Sequence, residues 1–337
     1  GEWGKTARGH ECTMSLDDSK TQDELLRQRP GQGAWRRFGL VLALVAVCVV
    51  LAAARPRAMS IDYVLTLLRQ VAINGILAVG VTHVLLTGGV DLSLGSVVAL
   101  AGVVAATFAH PDQYPLALPL LLGLCTGAVC GVVNGLVVTW GRVAPFIATL
   151  GMMTAARGLA YIFSGGRPVS RLRPEFNAIG SGSLLGIPIP VVLLAVVALL
   201  SMVFLRYTRA GRHLYATGGN EVAAYASGIN TRRVKVLAYI LCGTLAGLAG
   251  IVQAARSTTG QPNAGMMYEL DAIASVVIGG TSLAGGVGGV GGTLLGALLM
   301  GVISSGLDML NVPSYYQQVA KGLIIIGAVM LDRRGSK

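Results

Sequence analysis

Long apolar runs separated by short polar stretches fill the sequence from Phe38 almost to its C-terminal end. Ten of these runs approach or exceed the roughly 20 apolar residues that an α-helix needs to cross a bilayer. The pattern therefore predicts an all-α polytopic membrane protein with about ten transmembrane helices. The predicted spans are residues 38–54, 64–86, 92–109, 115–139, 145–164, 188–206, 235–255, 271–286, 288–308 and 315–331.

Basic residues are unevenly distributed between the two ends of these spans. With an even number of spans both termini lie on one side, and placing them inside assigns 17 Lys and Arg residues to inside segments and six to outside segments. Because Lys and Arg near span ends favour the cytoplasm, we expect both termini to be cytoplasmic. The net charge of +11 need not indicate nucleic acid binding, because the basic residues cluster at the ends of the spans.

The same pattern predicts the domain organisation. Residues 1–37 are polar and lack apolar periodicity, so we expect a mostly disordered cytoplasmic tail, with residues 1–13 as an upstream extension before Met14. Residues 38–332 form the transmembrane domain, and residues 333–337 form a short cytoplasmic tail.

Composition excludes several kinds of chemistry. Charged residues make up only 12% of the chain, against about 25% in an average soluble domain. The five cysteines lie mostly within apolar runs and lack metal-ligand spacing, so they are interpreted as packing residues. There is no phosphate-binding loop and no His, Cys or carboxylate constellation suited to catalysis. We therefore expect no metal site, no catalytic residue and no cofactor in this chain.

The longest strongly polar interval between two spans is the central loop at residues 206–235, which carries six basic residues and one acid, Glu221. Asn220 can cap a short helix at residues 221–226, and Gly228 can end it in a left-handed conformation. A short capped helix outside the bilayer suits docking of a soluble partner, and an amphipathic linker is the alternative.

Glycine spacing indicates broken or closely packed helices. In the fourth span, glycines recur every four residues and would let another helix approach closely: Gly123, Gly127, Gly131 and Gly135. In addition, LTGGVDLSLG at residues 86–95 resembles VIGGTSLAGG at residues 277–286. Internal repeats of this kind are common in transporters.

Five polar residues within or between spans are candidates for a solute path: Asn74, Asp91, Ser93, Asn134 and Arg157. The two asparagines either join helices or touch a polar solute, with the first favoured. Asp91 is either a helix cap or part of a polar path, with capping favoured. An arginine inside a span is costly unless it is paired or hydrated, so Arg157 is either functional or extended toward the headgroups.

Several long motifs, in order between Trp35 and Asp332, carry a family resemblance. They are LTGGVDLSLGS, NGLVVTWGRVAPFIATLGMMTAARGLA, GGNEVAAYASGIN, GQPNAGMMYELDAIASVVIGGTSLAGG and PSYYQQVAKGLIII. On these motifs the chain resembles the permease subunit of bacterial ABC importers for simple sugars, nearest to the ribose type. It departs from the family pattern at Met266-Met267 before Tyr268 and in the absence of a basic residue at 287–289.

The resemblance implies an inner-membrane dimer of two permease copies. Two ATP-binding subunits, or a fused pair, contact the dimer from below and bind ATP and Mg²⁺. A periplasmic sugar-binding protein contacts it from above. It implies a coupling helix that contacts the ATP-binding subunit, formed by Gly219, Asn220, Glu221, Ala223, Ala224, Gly228 and Ile229. The outside loop at 165–187 carries Arg167, Arg171 and Arg173 against the single acid Glu175, which opposes the bias of basic residues toward the cytoplasm. Because arginine binds carboxylates with two parallel hydrogen bonds, we expect these arginines to dock acidic residues of the binding protein. Lipid phosphates are the alternative partner for these arginines.

Two other classes of protein remain as alternatives. A membrane enzyme would gather ionisable residues at one interface, whereas Asp91, Arg157 and Asp308 are scattered along the chain. A passive channel would need no capped docking helix. Within the transporter class, the solute could also be a hexose or a furanose-like signalling molecule.

Overall fold

The computed structural model describes residues 32–54, 60–111 and 114–335. In these ranges the chain forms helices joined mostly by short turns, with one two-stranded antiparallel hairpin. The elements are α1 (Gln32–Ala54), α2 (Ile61–Leu86), α3 (Leu94–Phe108), α4 (Ala117–Thr139), α5 (Pro145–Ser164), α6 (Pro174–Ser181), β1 (Ser183–Leu184), β2 (Ile187–Pro188), α7 (Ile189–Tyr207), α8 (Arg209–Gly219), α9 (Glu221–Ala226), α10 (Thr231–Ser257), α11 (Tyr268–Ile278), α12 (Val290–Met309) and α13 (Ser314–Gly335).

The prediction of a polytopic all-α membrane protein is confirmed. Among the described residues, six helices are long and apolar enough to cross a membrane, namely α2, α4, α5, α7, α10 and α12. Two shorter apolar helices lie at Phe38–Ala53, within α1, and at Leu94–Phe108, which is α3. The count of ten spans and the cytoplasmic position of both termini stay predictions.

The predicted span at residues 271–286 is wrong in its extent. Helix α11 ends at Ile278 after 11 residues, which at 1.5 Å per residue reach about 17 Å, well short of a hydrocarbon core of about 30 Å. The chain then turns through glycines with positive φ, including Gly280 at 91° and Gly285 at 92°. Glycine is apolar enough to extend a hydropathy window, yet here its conformational freedom serves a turn.

The predicted tails also differ from the structure where it describes them. Helix α1 begins at Gln32, near the end of the segment 1–37 that is predicted to be mostly disordered, and residues 1–31 lie outside the described residues. Helix α13 runs to Gly335, through most of the predicted tail at 333–337. Both helices continue past the apolar run because polar residues outside a bilayer can still extend an existing helix.

Helix α4 packs against α10 along the glycine stripe. A β-carbon on Gly127 would overlap the carbonyl oxygen of Gly243, and one on Gly131 would overlap the carbonyl oxygen of Tyr239. The two backbones therefore touch without intervening side chains, as small residues allow in membrane helices. The close-packing interpretation of this stripe is confirmed.

The loop at 165–187, which is predicted to lie outside, contains structure that the sequence did not predict. Helix α6 begins with Pro174 in its first turn, and the β-hairpin follows it. Phe176 is fully buried in an apolar cluster with Ala109 of the segment after α3 and Ala255 of α10. The backbone nitrogen of Arg173 also donates to the carbonyl oxygen of Ala109 at 2.8 Å. These contacts hold the loop against the ends of α3 and α10.

Candidate coupling segment and solute path

The capped helix predicted in the central loop is present as α9. The side-chain oxygen of Asn220 accepts a hydrogen bond from the backbone nitrogen of Ala223 at 2.9 Å, which satisfies a free amide of the first turn. At the other end Gly228 adopts a left-handed φ of 83°, and the backbone nitrogen of Ile229 donates to Ala224 at 3.0 Å. Local sequence signals were therefore sufficient to place both ends of this helix.

The two faces of α9 differ in exposure. Ala224 is only 5% exposed and faces the protein itself, whereas Val222 is 80% exposed and Tyr225 is 71% exposed. Glu221 pairs with Lys235 of α10 at 2.6 Å, which ties the helix to the next span. The surface open to a partner is thus the Val222–Tyr225 pair, which the resemblance did not supply. The signal available in the sequence was two apolar residues three apart, on one helical face, within a polar loop.

Helix α8 precedes α9 and rests on the end of the bundle. The hydroxyl of Thr208 accepts from the backbone nitrogen of Gly211 at 3.0 Å and so starts the helix. Leu214 and Thr217 are buried, and the hydroxyl of Tyr215 donates to the carbonyl oxygen of Gly288 at 3.0 Å. Burial raises the pKa of Tyr215, which favours the neutral hydroxyl as a donor. The central loop is therefore a packed segment.

Three of the five path candidates form one buried network. The carboxylate of Asp91 accepts from the backbone nitrogen of Ser93 at 2.9 Å and from its hydroxyl at 2.6 Å. Asn134 of α4 donates to the hydroxyl of Ser93 at 3.0 Å. All three side chains are at most 2% exposed. Asp91 therefore folds the turn before α3 through Ser93, the N-cap residue of that helix, and does not itself bond to a free amide of its first turn. The network joins that turn to α4.

Arg157 is bonded within the chain in this structure. Its guanidinium donates to the carbonyl oxygens of Pro262 at 2.8 Å and Ala264 at 2.7 Å, in the segment between α10 and α11. Irregular backbone at membrane depth leaves carbonyl groups that need donors. Arg157 supplies two of these donors from α5 and holds the segment in place.

Asn74 lies apart from the network. It is half-buried on α2, and no hydrogen bond joins its side chain to Asp91, Ser93 or Asn134 in the described part of the chain. The structure therefore brings together three path candidates and leaves Asn74 and Arg157 elsewhere.

A buried ion pair joins α11 to α13. Lys321 of α13 binds Asp271 of α11 at 2.7 Å, with side chains 19% and 9% exposed. The available signal was an ionisable residue inside each of two predicted spans. A two-residue partnership across 50 positions of sequence could not be assigned without the fold.

The three arginines of the loop at 165–187 are not equivalent. Arg173 donates to Glu175 at 2.9 Å and to the carbonyl oxygen of Tyr114 at 2.7 Å, so its guanidinium is used within the chain. This contact lowers the pKa of Glu175. Arg167 and Arg171 remain exposed, and neither takes part in an ion pair among the described residues.

The polar groups described above are arranged for contacts between helices and with a partner, and they form no cluster typical of a catalytic centre. Among the described residues no group of three or more His, Cys, Asp or Glu side chains is placed to hold a metal ion. Apolar spans, polar groups buried between them and an exposed apolar pair outside them are typical of a membrane transport protein that works with a soluble partner.

Comparison with known proteins gives the family. The chain belongs to the family described as "Branched-chain amino acid transport system / permease component", which matches residues 63–329. It is 46% identical over 306 residues to the ribose import permease protein RbsC of Bacillus subtilis (strain 168), covering 90% of this chain and 95% of that protein. It is 44% identical over 298 residues to the ribose import permease protein RbsC of Escherichia coli (strain K12), covering 87% and 92%.

A relative with lower identity is named for a different sugar. The D-allose transport system permease protein AlsC of Escherichia coli (strain K12) is 34% identical over 322 residues, covering 95% of this chain and 99% of that protein. No solved structure matches the chain. The chain is therefore a permease component.

Proposed function

We propose that the chain is the permease subunit of an ATP-driven importer that carries a simple sugar, ribose, across the bacterial inner membrane. The observation that carries the proposal is the 46% and 44% identity to two ribose import permeases over most of both chains. Identity falls to 34% for the D-allose permease, so the hexose alternative is not favoured. The subunit is a transport component and not an enzyme, and separate subunits bind ATP and Mg²⁺ and hydrolyse ATP.

The assembly proposed around this chain has three kinds of protein partner. Two permease copies, each with its membrane domain at 38–332 and coupling loop at 206–235, enclose the path in the bilayer. Two ATP-binding subunits, or a fused pair, dock on one face, where α9 presents Val222 and Tyr225. A periplasmic sugar-binding protein docks on the opposite face. The even span count and the excess of basic residues in the central loop support this orientation.

The burial of three path candidates supports a closed state of the proposed solute path. Asp91, Ser93 and Asn134 bond to one another and are shielded from solvent, so the sugar cannot reach them without movement of the turn before α3. Asn74 and Arg157 are proposed to border the path at other levels. Alternating access requires only that partners bias two arrangements of the bundle.

Reconstituted uptake tests this function. We expect vesicles containing the chain and its ATP-binding subunits to accumulate ribose only when ATP and a ribose-binding protein are both present. Uptake without ATP would indicate a channel and contradict the proposal. Stimulation by an allose-binding protein and not by a ribose-binding protein would replace ribose with a hexose.

The exposed outside arginines give a prediction for docking of the binding protein. The double variant Arg167→Glu, Arg171→Glu should weaken stimulation of uptake by the binding protein, by about tenfold at low salt and less at high salt, because rim charges act on association rate. The measurement is uptake against binding-protein concentration at two salt concentrations.

Arg142 provides the control for this prediction, because it is exposed in the short turn between α4 and α5. Reversing its charge should leave the dependence on binding protein unchanged. An unmoved stimulation curve for the double variant at low salt would assign Arg167 and Arg171 to lipid or solvent instead.

A further inference from the structure

The two glycine-rich sequences that resemble each other lie against one another in the fold. The first turn follows α2 at residues 87–93, and the second turn follows α11 at residues 279–289. The backbone nitrogen of Gly286 in the second turn donates to the carbonyl oxygen of Leu86, the last residue of α2, at 3.0 Å. A β-carbon on Gly88 would lie 3.3 Å from the carbonyl oxygen of Ala284. The helix pairs α2–α3 and α11–α12 therefore meet at their connecting turns.

A third segment enters this meeting point from the central loop. A β-carbon on Gly218 of α8 would overlap the carbonyl oxygen of Leu86 and would lie 2.6 Å from the backbone nitrogen of Gly286. A β-carbon on Gly285 would lie 2.8 Å from the nitrogen of Gly88 and 2.9 Å from the carbonyl oxygen of Gly218. We call the contact of the two turns with Gly218 the glycine junction.

The glycine junction joins backbones directly. Left-handed φ angles of 74° at Gly88, 92° at Gly285 and 72° at Gly286 let the three segments approach with no side chain between them. Flexible side chains at such a contact could change rotamer and absorb a displacement, whereas packed backbones transmit it. Tyr215 adds a second link from α8 to the second turn through its bond to Gly288.

The first turn also contains polar groups of the proposed path. Asp91 and Ser93 lie in it, and the hydroxyl of Tyr239 on α10 donates to the carbonyl oxygen of Val90 at 3.2 Å. A displacement of α8 would thus reach the Asp91 network through one backbone contact.

We propose that Gly218 is a positioning residue that makes α8 and both glycine turns move as one unit, so that movement of the coupling segment reaches the α2–α3 and α11–α12 pairs together. This inference rests on the proposed coupling role of the central loop. The proposal also explains why the two turns have similar sequences, since each turn contributes glycines to the glycine junction.

The first test is the sugar transported per ATP hydrolysed by the reconstituted complex. The variant Gly218→Ala should lower this ratio by about tenfold, a coupling free energy of the usual allosteric size. The matched control is Gly291→Ala, since Gly291 is a helical glycine at the start of α12 whose β-carbon would meet nothing within 4 Å. A wild-type ratio for Gly218→Ala would overturn the proposal.

A milder variant keeps the proposal testable if Gly218→Ala fails to reach the membrane. Tyr215→Phe removes one hydrogen bond at the edge of the glycine junction and adds no volume. Loss of a single bond of this kind corresponds to a fall of about two- to tenfold in sugar per ATP. An unchanged ratio for Tyr215→Phe would contradict the proposed transmission.

A distance measurement tests the rigid unit without any transport. Spin labels on Ala216→Cys and Ala284→Cys, both at exposed positions, should keep one separation in nucleotide-free and ATP-trapped complexes, in a background with the native cysteines replaced. The comparison pair joins Ala284→Cys to Leu185→Cys, in the hairpin that precedes α7, and should change between the two states. Equal changes in both pairs would overturn the inference. Failure of ribose uptake by the wild-type complex would count against the proposed function and leave this distance result standing.

Discussion

Replacing Tyr225 with glutamate is expected to abolish stable association with the ATP-binding subunits and, with it, ATP-dependent uptake. The side chain is 71% exposed beside Val222, which is 80% exposed, on a helix held by its own cap and by the Glu221–Lys235 pair. A buried aromatic anchor of an interface typically contributes at least about 2 kcal/mol, or about thirtyfold in affinity. The added charge would also be desolvated on docking, which increases the loss.

Copurification of the ATP-binding subunits with the membrane chain measures this effect. The control is Leu185→Glu, which places the same charge on an exposed apolar residue of the β1–β2 turn. That variant should retain the ATP-binding subunits. Full copurification with Tyr225→Glu would show that α9 docks by another face or not at all. Ala224 is unsuitable for this test because it is buried within the chain, so a bulky charge there would disturb the fold itself.

Removing one partner of the Lys321–Asp271 pair is expected to cost about 3–5 kcal/mol of folding free energy. Either single variant, Lys321→Met or Asp271→Asn, leaves a group that was paired at 2.7 Å in a largely buried place. The ammonium left by Asp271→Asn has a long stem and can reach water, whereas the short carboxylate left by Lys321→Met cannot, so Lys321→Met should cost more. The double variant should recover most of the loss, because it buries no unpaired charge.

Thermal unfolding of the detergent-purified chain, followed as a double-mutant cycle, measures this coupling. The control is Glu221→Gln, which breaks the more exposed Glu221–Lys235 pair and should cost at most about 1 kcal/mol. Additive losses in the cycle would mean that Lys321 and Asp271 do not stabilise the α11–α13 contact through each other.

Local sequence signals worked where the determining groups are close together in the chain. Asn220 and Gly228 placed both ends of α9, since each cap bonds to residues within a few positions of itself. Apolar runs placed helices near nine of the ten predicted spans with end shifts of a few residues, and α5 matched the predicted span 145–164. The span at 271–286 failed because hydropathy counts glycine as apolar and cannot distinguish a helix from a left-handed turn.

Sequence alone therefore determined that the chain is a helical membrane protein, where its main spans lie, and that a capped helix interrupts the central loop, because hydropathy and capping are properties of neighbouring residues. Only the tertiary structure decided that Ala224 faces inward and Tyr225 outward, that Arg157 bonds to carbonyl groups about a hundred residues away, and that Lys321 finds Asp271. It alone brought Gly218 between the two glycine turns. These contacts join distant segments, and they depend on how the helices pack against one another.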